Sequence, residues 1–128
     1  SDPVLAWRTR VPPVGRGLIS AISRTAFSDQ PMPEWWIPTV QANFARHETL
    51  LTYRGEMFTV EGELEPAAIR TPTLILHGDD DRLAPVGIAR YLAGVIPDAQ
   101  LQVFAGGSHM LPVVEVEAMA DAIEAFVR

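Results

Sequence analysis

The pattern of apolar positions changes character near residue 66. Beyond it, TLILH at 73–77 is a continuous apolar run, typical of a strand covered on both faces in a parallel sheet. LQVFA at 101–105, ended by Gly106 and Gly107, is predicted as a second strand. Apolar residues at helical spacing predict helices over 86–96 and 113–127. The order strand, helix, strand, helix predicts an α/β fold in which a crossover helix joins two parallel strands.

The first 66 residues follow a different pattern. Six prolines fall within the first 38 positions, together with all three tryptophans, and no segment alternates between apolar and polar residues as a strand would. The spacing predicts helices over about 16–27 and about 37–52, separated by proline-rich breaks. We therefore expect a helical region, 1–66, followed by the α/β region, 67–128.

Two parallel strands do not make a self-sufficient sheet. Their apolar faces need covering layers, and their edges carry backbone groups that need hydrogen-bond partners. The sequence predicts no further strand to supply them. We expect the sheet to be completed by an N-terminal partner segment that lies outside this sequence.

Composition narrows the possible functions. Hydrophobic residues make up 48% and charged residues 20% of the chain, as in an ordinary globular protein. The net charge of −6 without a basic cluster argues against nucleic acid as a partner. No apolar stretch approaches the length that spans a bilayer, so no membrane association is predicted. The absence of cysteine excludes disulfides and thiolate chemistry, and the cellular compartment stays open, with the cytoplasm favoured.

Acidic and histidine side chains follow the two predicted strands. Asp79–Asp81 come after the first strand, and His109 comes after the second. Neighbouring parallel strands end at the same edge of a sheet, where functional groups of α/β proteins gather. A carboxylate that orients a histidine is the arrangement used in general acid–base catalysis. The alternative for 79–81 is a solvated, turn-forming acidic run.

The other two histidines are expected to be structural. His77 ends the first strand, and His47 lies on an apolar helical face. The three histidines do not have the spacing of metal ligands, so we predict no metal site.

TLILHGDDDRLAP followed by VFAGGSHMLP resembles the last two strand–loop units of the α/β-hydrolase fold family. Gly78, Asp81 and Pro85 match the family's G-x-x-D-x-x-x-P element, which carries the acid of the catalytic triad. His109 matches the G-G-x-H element, which carries the triad histidine. The resemblance implies that Asp81 orients His109, and that His109 serves as general base and then general acid.

The resemblance also implies what surrounds this pair. It identifies residues 1–66 as a helical cap and residues 67–128 as the C-terminal part of the hydrolase core. The chain has no G-x-S-x-G nucleophile elbow, so the nucleophile is expected on an N-terminal hydrolase fragment. The implied reaction is hydrolysis of a small-molecule carboxylic ester, thioester or lactone, and no cofactor is implied.

Several alternatives remain open at this point. Trp35, Trp36 and Phe44 are candidates for substrate contact, or they pack on one another within the cap. Hydrolases of epoxides, haloalkanes or carbon–carbon bonds share the fold, although Tyr53 is the only tyrosine before the core, which disfavours the epoxide class. A non-catalytic ligand-binding protein of the same fold is the alternative from a different class.

Overall fold

The structure is a computed structural model that describes residues 13–44 and 65–128. His47, Tyr53 and the predicted helical residues 45–52 lie outside the described residues. The elements, in chain order, are helix α1 (Pro13–Phe27), helix α2 (Trp36–Phe44), a 3₁₀ turn (Pro66–Ala68), strand β1 (Thr73–Gly78), helix α3 (Val86–Val95), strand β2 (Ala99–Phe104), helix α4 (Leu111–Val114) and helix α5 (Val116–Val127).

The two strands pair in parallel, as the sequence predicted. The register runs from Thr73 opposite Ala99 to Gly78 opposite Phe104. Helix α3 provides the crossover and contacts both strands. Strand β2 begins two residues earlier than its apolar run because the pairing with β1 extends back to Ala99. Within the described residues the sheet consists of these two strands, and the predicted α/β fold is confirmed.

Helix α3 packs on the sheet through Ala89, which is 2% exposed. The helical spacing of Ile88, Leu92, Val95 and Ile96 predicts that these four residues face inward. Ile96, directly after the helix, is buried and Leu92 and Val95 are half-buried, whereas Ile88 is 52% exposed. The prediction is therefore wrong for Ile88.

The predicted helix over 113–127 is two helices. Glu115 separates α4 from α5 with φ −110° and ψ 41°, outside the helical range. Leu111 in α4 and Ala122 in α5 are buried, while Val116, Ile123 and Val127 are exposed. Val116, Ile123 and Val127 thus lack a covering layer among the residues that the structure describes, whereas Met119 and Phe126 are half-buried.

The chain divides into two compact units. The described residues of the first unit are 13–24 and 32–44, and those of the second unit are 25–31 and 65–128. The assignment of residues 1–66 as a cap stays a prediction. None of the described helices is long and apolar enough to cross a membrane.

Candidate active site

The loops that follow β1 and β2 lie against each other through their backbones. The Asp80 amide donates to the Gly107 carbonyl at 3.0 Å, and the Asp79 amide donates to the Phe104 carbonyl at 3.1 Å. A Cβ atom added to Gly78 would overlap the backbone of Gly107. The absence of a side chain at Gly78 therefore allows the two loops to meet.

Asp79 joins the same two loops through its side chain. Its Oδ1 accepts a hydrogen bond of 2.7 Å from the Gly106 amide. Gly106 has φ +68°, a left-handed conformation that favours glycine. Asp79 is thus a loop residue, as expected, and it fixes the turn that precedes His109.

Asp81 is held from both sides of its carboxylate. Its Oδ1 accepts hydrogen bonds of 2.9 Å from the amides of Leu83 and Ala84. Its Oδ2 lies 2.9 Å from Nδ1 of His109. The Asp81 side chain is only 5% exposed, so its position is set by these partners.

The same partners set the protonation of Asp81. Burial raises the pKa of the carboxyl, but the amide of Ala84, the hydrogen bond and charge of His109 and the amide of Leu83 together lower it below its ordinary value. Asp81 is consequently a carboxylate at neutral pH. It can accept a hydrogen bond from Nδ1–H of the histidine and stabilise an imidazolium.

His109 is oriented by Asp81 and open on its other side. Because a carboxylate only accepts hydrogen bonds, Nδ1 carries the proton that it donates to Asp81. The remaining nitrogen, Nε2, is then the basic one. The side chain is 46% exposed, and its one hydrogen bond among residues 13–44 and 65–128 is the bond to Asp81. Nε2 is therefore available to take a proton from a neighbouring group.

A cavity of about 200 Å³ lies beside the pair. Its lining includes Asp81, His109, Ser108, Leu111 and Met119. The combination of an apolar wall with one basic nitrogen suits a small substrate whose polar end meets His109.

His77 supports the acid loop. Its Nε2 lies 2.8 Å from the Ala84 carbonyl and, because a carbonyl only accepts, Nε2–H is the donor. The same nitrogen is 3.6 Å from Oδ2 of Asp81. The hydrogen bond to Ala84 agrees with the predicted structural role of His77. The short distance between His77 and Asp81 was not indicated by the sequence.

The aromatic candidates lie in the first unit. Trp35 and Trp36 have ring centroids 5.8 Å apart at an interplanar angle of 59°, and Phe44 ends helix α2. The side chain of Phe44 is outside the described part of the structure. Asp81 and His109 belong to the second unit. Substrate contact by Trp35, Trp36 and Phe44 stays a prediction.

Segment 28–30 contacts both loops, which sequence reasoning missed. Its contacts are a hydrogen bond from Ser28 Oγ to the Asp80 carbonyl, an ion pair of 2.8 Å between Asp29 and Arg82, and a hydrogen bond of 2.8 Å from the Ser108 amide to Gln30 Oε1. Its partners lie more than 50 residues away in the chain. No local pattern of residues signals contacts at such a separation.

Arg82 is paired on the surface of the acid loop. The hydrogen bond to Asp29, followed by the one to Asp80, raises the pKa of the guanidinium above its ordinary value. Both pairs are exposed, so they contribute little stability. Within 13–44 and 65–128, no group of histidine and acidic side chains is arranged to hold a metal ion.

Comparison with known proteins shows which family this chain belongs to. The α/β-hydrolase fold profile matches residues 10–116. The 2-hydroxymuconate semialdehyde hydrolase of Pseudomonas putida is 32% identical over 89 residues, covering 70% of this chain and 32% of that protein. The poly(3-hydroxyalkanoate) depolymerase of Ectopseudomonas oleovorans is 43% identical over 60 residues, covering 47% of this chain and 21% of that protein.

Two further proteins extend the comparison. The non-heme chloroperoxidase CPO-A1 of Kitasatospora aureofaciens is 46% identical over 44 residues, covering 34% of this chain and 16% of that protein. The crystal structure of the serine hydrolase CarC, involved in carbazole degradation, superposes with a TM-score of 0.70 at 18% identity, covering 88% of this chain and 46% of that one. This chain spans a third or less of the length of these three curated relatives. The profile match over most of its residues shows that the chain belongs to the α/β-hydrolase fold family.

Proposed function

We propose that this chain supplies the acid and the base of a hydrolase triad that acts on a carboxylic ester, thioester or lactone. The observation that carries the proposal is the 2.9 Å contact between His109 Nδ1 and Asp81 Oδ2, with Nε2 of His109 left open. Two further observations support the proposal. Both residues lie in the loops after two neighbouring parallel strands, and the chain belongs to the α/β-hydrolase fold family.

The geometry supports a definite order of proton transfers. Nε2 of His109 takes the proton of the nucleophile as the nucleophile attacks the substrate carbonyl. The resulting imidazolium donates from Nδ1 to Asp81, whose low pKa keeps it ionised. His109 then gives the proton from Nε2 to the leaving group. Asp81 orients the ring and balances its charge without taking up the proton.

The nucleophile, in this proposal, lies on an N-terminal hydrolase segment that also completes the sheet. Ser108 is next to His109, but its Oγ accepts a hydrogen bond of 3.1 Å from the Met110 amide and the residue is buried. Among the described residues, no serine hydroxyl hydrogen-bonds to His109. A separate N-terminal segment would supply the attacking oxygen, the amides that stabilise the oxyanion and the missing strands.

The cavity beside His109 holds the reacting end of the substrate in this proposal. Contact of Trp35, Trp36 and Phe44 with the substrate stays a prediction. A chromogenic short-chain ester is the first substrate to test.

Turnover of a chromogenic short-chain ester by the complete protein tests this proposal. We expect hydrolysis by the wild type and a loss of at least about 100-fold in His109→Ala, because general acid–base catalysis contributes at least that much. Gln102→Ala is the control, because Gln102 is exposed on β2 and does not line the cavity beside His109, so this variant should retain wild-type activity. Binding of the ester without turnover would favour the alternative, a non-catalytic ligand-binding protein.

A second candidate substrate follows from one relative. The Pseudomonas putida protein named as a 2-hydroxymuconate semialdehyde hydrolase matches 70% of this chain. A semialdehyde of that kind therefore belongs in the same assay as the ester. Faster turnover of the semialdehyde would move the assignment from ester hydrolysis to that reaction.

A further inference from the structure

We propose that Gln30 is a positioning residue for His109, and that segment 28–30 clamps the acid loop and the histidine loop to each other. A role in turnover rests on the function proposed above, whereas the effect on loop geometry does not. The clamp lies wholly within the second unit, which contains residues 25–31 and both loops.

The side-chain amide of Gln30 is used at both ends. Its Oε1 accepts a hydrogen bond of 2.8 Å from the Ser108 amide, and its Nε2 donates one of 2.9 Å to Oε1 of Glu115. The carboxylate of Glu115 only accepts and the amide of Ser108 only donates, so the amide of Gln30 fits in one orientation. Gln30 thus connects the start of the histidine loop to the residue between α4 and α5.

The Ser108 amide depends on Gln30. Ser108 is 1% exposed, so water does not readily replace a lost partner of its amide. This N–H belongs to the peptide group between Gly107 and Ser108, one residue before His109. On the other flank, the Met110 amide donates to Ser108 Oγ. Hydrogen bonds therefore fix the backbone of both residues that flank His109. The contact with Asp81 then orients the imidazole ring.

The other end of the segment holds the acid loop. Ser28 follows the last residue of α1 with φ +53°, a left-handed conformation that is unfavourable for residues other than glycine. Its hydroxyl donates to the carbonyl of Asp80, the residue before Asp81. The surrounding structure must stabilise this backbone conformation of Ser28, and the hydrogen bond to Asp80 is one such stabilising contact. Segment 28–30 therefore fixes the peptide groups that precede Asp81 and His109.

The first test is Gln30→Ala in the complete protein. Displacement of His109 relative to its substrate should lower kcat by up to about 100-fold, with KM changed little, because a misplacement of 1 Å has an effect of that size. The matched control is Gln102→Ala, which makes the same change at an exposed position of β2 and should leave kcat unchanged. An unchanged kcat in Gln30→Ala would overturn the proposal.

Exchanging the amide of Gln30 and the carboxylate of Glu115 distinguishes a hydrogen-bonding role of Gln30 from a role in packing. Gln30→Glu faces the carboxylate of Glu115 with a second carboxylate and should lose activity as Gln30→Ala does. The carboxylate introduced by Gln30→Glu can still accept from the Ser108 amide, and adding Glu115→Gln supplies the donor that pairs with its other oxygen. The double variant should therefore recover most of the lost kcat. No recovery in a folded double variant would contradict the hydrogen-bond mechanism.

A third readout does not depend on activity. His109 is one of the groups that lower the pKa of Asp81, so its displacement in Gln30→Ala should raise that pKa in an NMR titration of the carboxyl carbon. The Ser108 amide should also exchange its hydrogen faster. If the wild type hydrolyses no ester but both changes occur, the proposed function fails and the clamp stands. An unchanged Asp81 titration with a protected Ser108 amide refutes the clamp.

Discussion

Three consecutive acidic residues follow β1, and hydrogen bonding gives each of them a different role. Asp79 accepts from the Gly106 amide, Asp80 pairs with Arg82 at the surface, and Asp81 accepts from His109 and two amides. The family pattern in the sequence singled out Asp81. The support that Asp79 gives to the Gly106 turn was not predictable, because it depends on how closely the two loops approach.

The role of Asp81 is tested by removing its charge. Asp81→Asn should lower kcat by about 10⁴-fold, because an amide no longer fixes the productive tautomer of His109 or stabilises the imidazolium. Asp79→Asn is the control. Its side-chain oxygen can still accept from the Gly106 amide, so kcat should stay within about 10-fold of the wild type. The assignment fails if Asp79→Asn is inactive while Asp81→Asn is active.

The low pKa of Asp81 predicts how stability depends on pH. Because the folded pKa lies below the ordinary value of 3.8, the ionised carboxylate stabilises the folded state, and this contribution is complete well above pH 3.8. It is lost as the pH falls through the folded pKa. The difference in free energy of unfolding between wild type and Asp81→Asn should therefore shrink in acid. A difference that stays constant between neutral pH and the acid limit of folding would contradict this account.

At the scale of elements, the sequence predicted the order of strands and helices well, and it predicted which side of each helix is buried less well. The apolar run of β1 predicted a strand, and the segment of β2 was predicted although Gln102 interrupts its apolar residues. On α3, the predicted burial of Ile96 is confirmed and that of Ile88 is wrong, because the most buried residue of the helix is Ala89. The break at Glu115 and the contacts of Gln30 depend on tertiary packing, which leaves no periodic signal.

The approach of the two loops is tested with two glycine substitutions. Gly78→Ala places a methyl group against the backbone of Gly107, so the loops must separate. We expect a loss of about 1–3 kcal/mol in the free energy of unfolding together with a lower kcat. Gly94→Ala in α3 has open space within 4 Å of the new Cβ and should stabilise the protein by up to about 1 kcal/mol. Denaturant unfolding measures both. Equal effects would refute the close approach.

At the scale of the whole molecule, large apolar side chains are left exposed among the described residues. Ile88, Ile123 and Val127 are large and exposed, although each lies on a helix that packs on the sheet or follows it. Within the described residues, the two-stranded sheet has no further strand along its edges. An N-terminal hydrolase segment of several strands would cover these features, which is the arrangement that the proposed function requires.

This view predicts the behaviour of residues 1–128 expressed alone. They should aggregate or bind a hydrophobic dye, because apolar side chains and the sheet edges have no cover within the part of the chain that the structure describes. Co-expression with the N-terminal hydrolase segment should give a stable, active complex whose interface exceeds the about 1,600 Å² of a standard complex. Size-exclusion chromatography and ester turnover measure the two outcomes. A monodisperse, cooperatively folding and esterolytic preparation of residues 1–128 alone would contradict the prediction.

Covalent labelling of the complete protein with a fluorophosphonate probe tests whether Asp81 and His109 activate a nucleophile, because such probes react with an oxygen nucleophile activated by a histidine. We expect the wild type to be labelled at one serine outside residues 1–128, as mapped by mass spectrometry of peptides. We expect His109→Ala and Asp81→Asn to be labelled far more slowly, and Gln102→Ala to be labelled at the wild-type rate. Labelling that persists undiminished in His109→Ala, or that maps to a serine within residues 1–128, would contradict the proposed function.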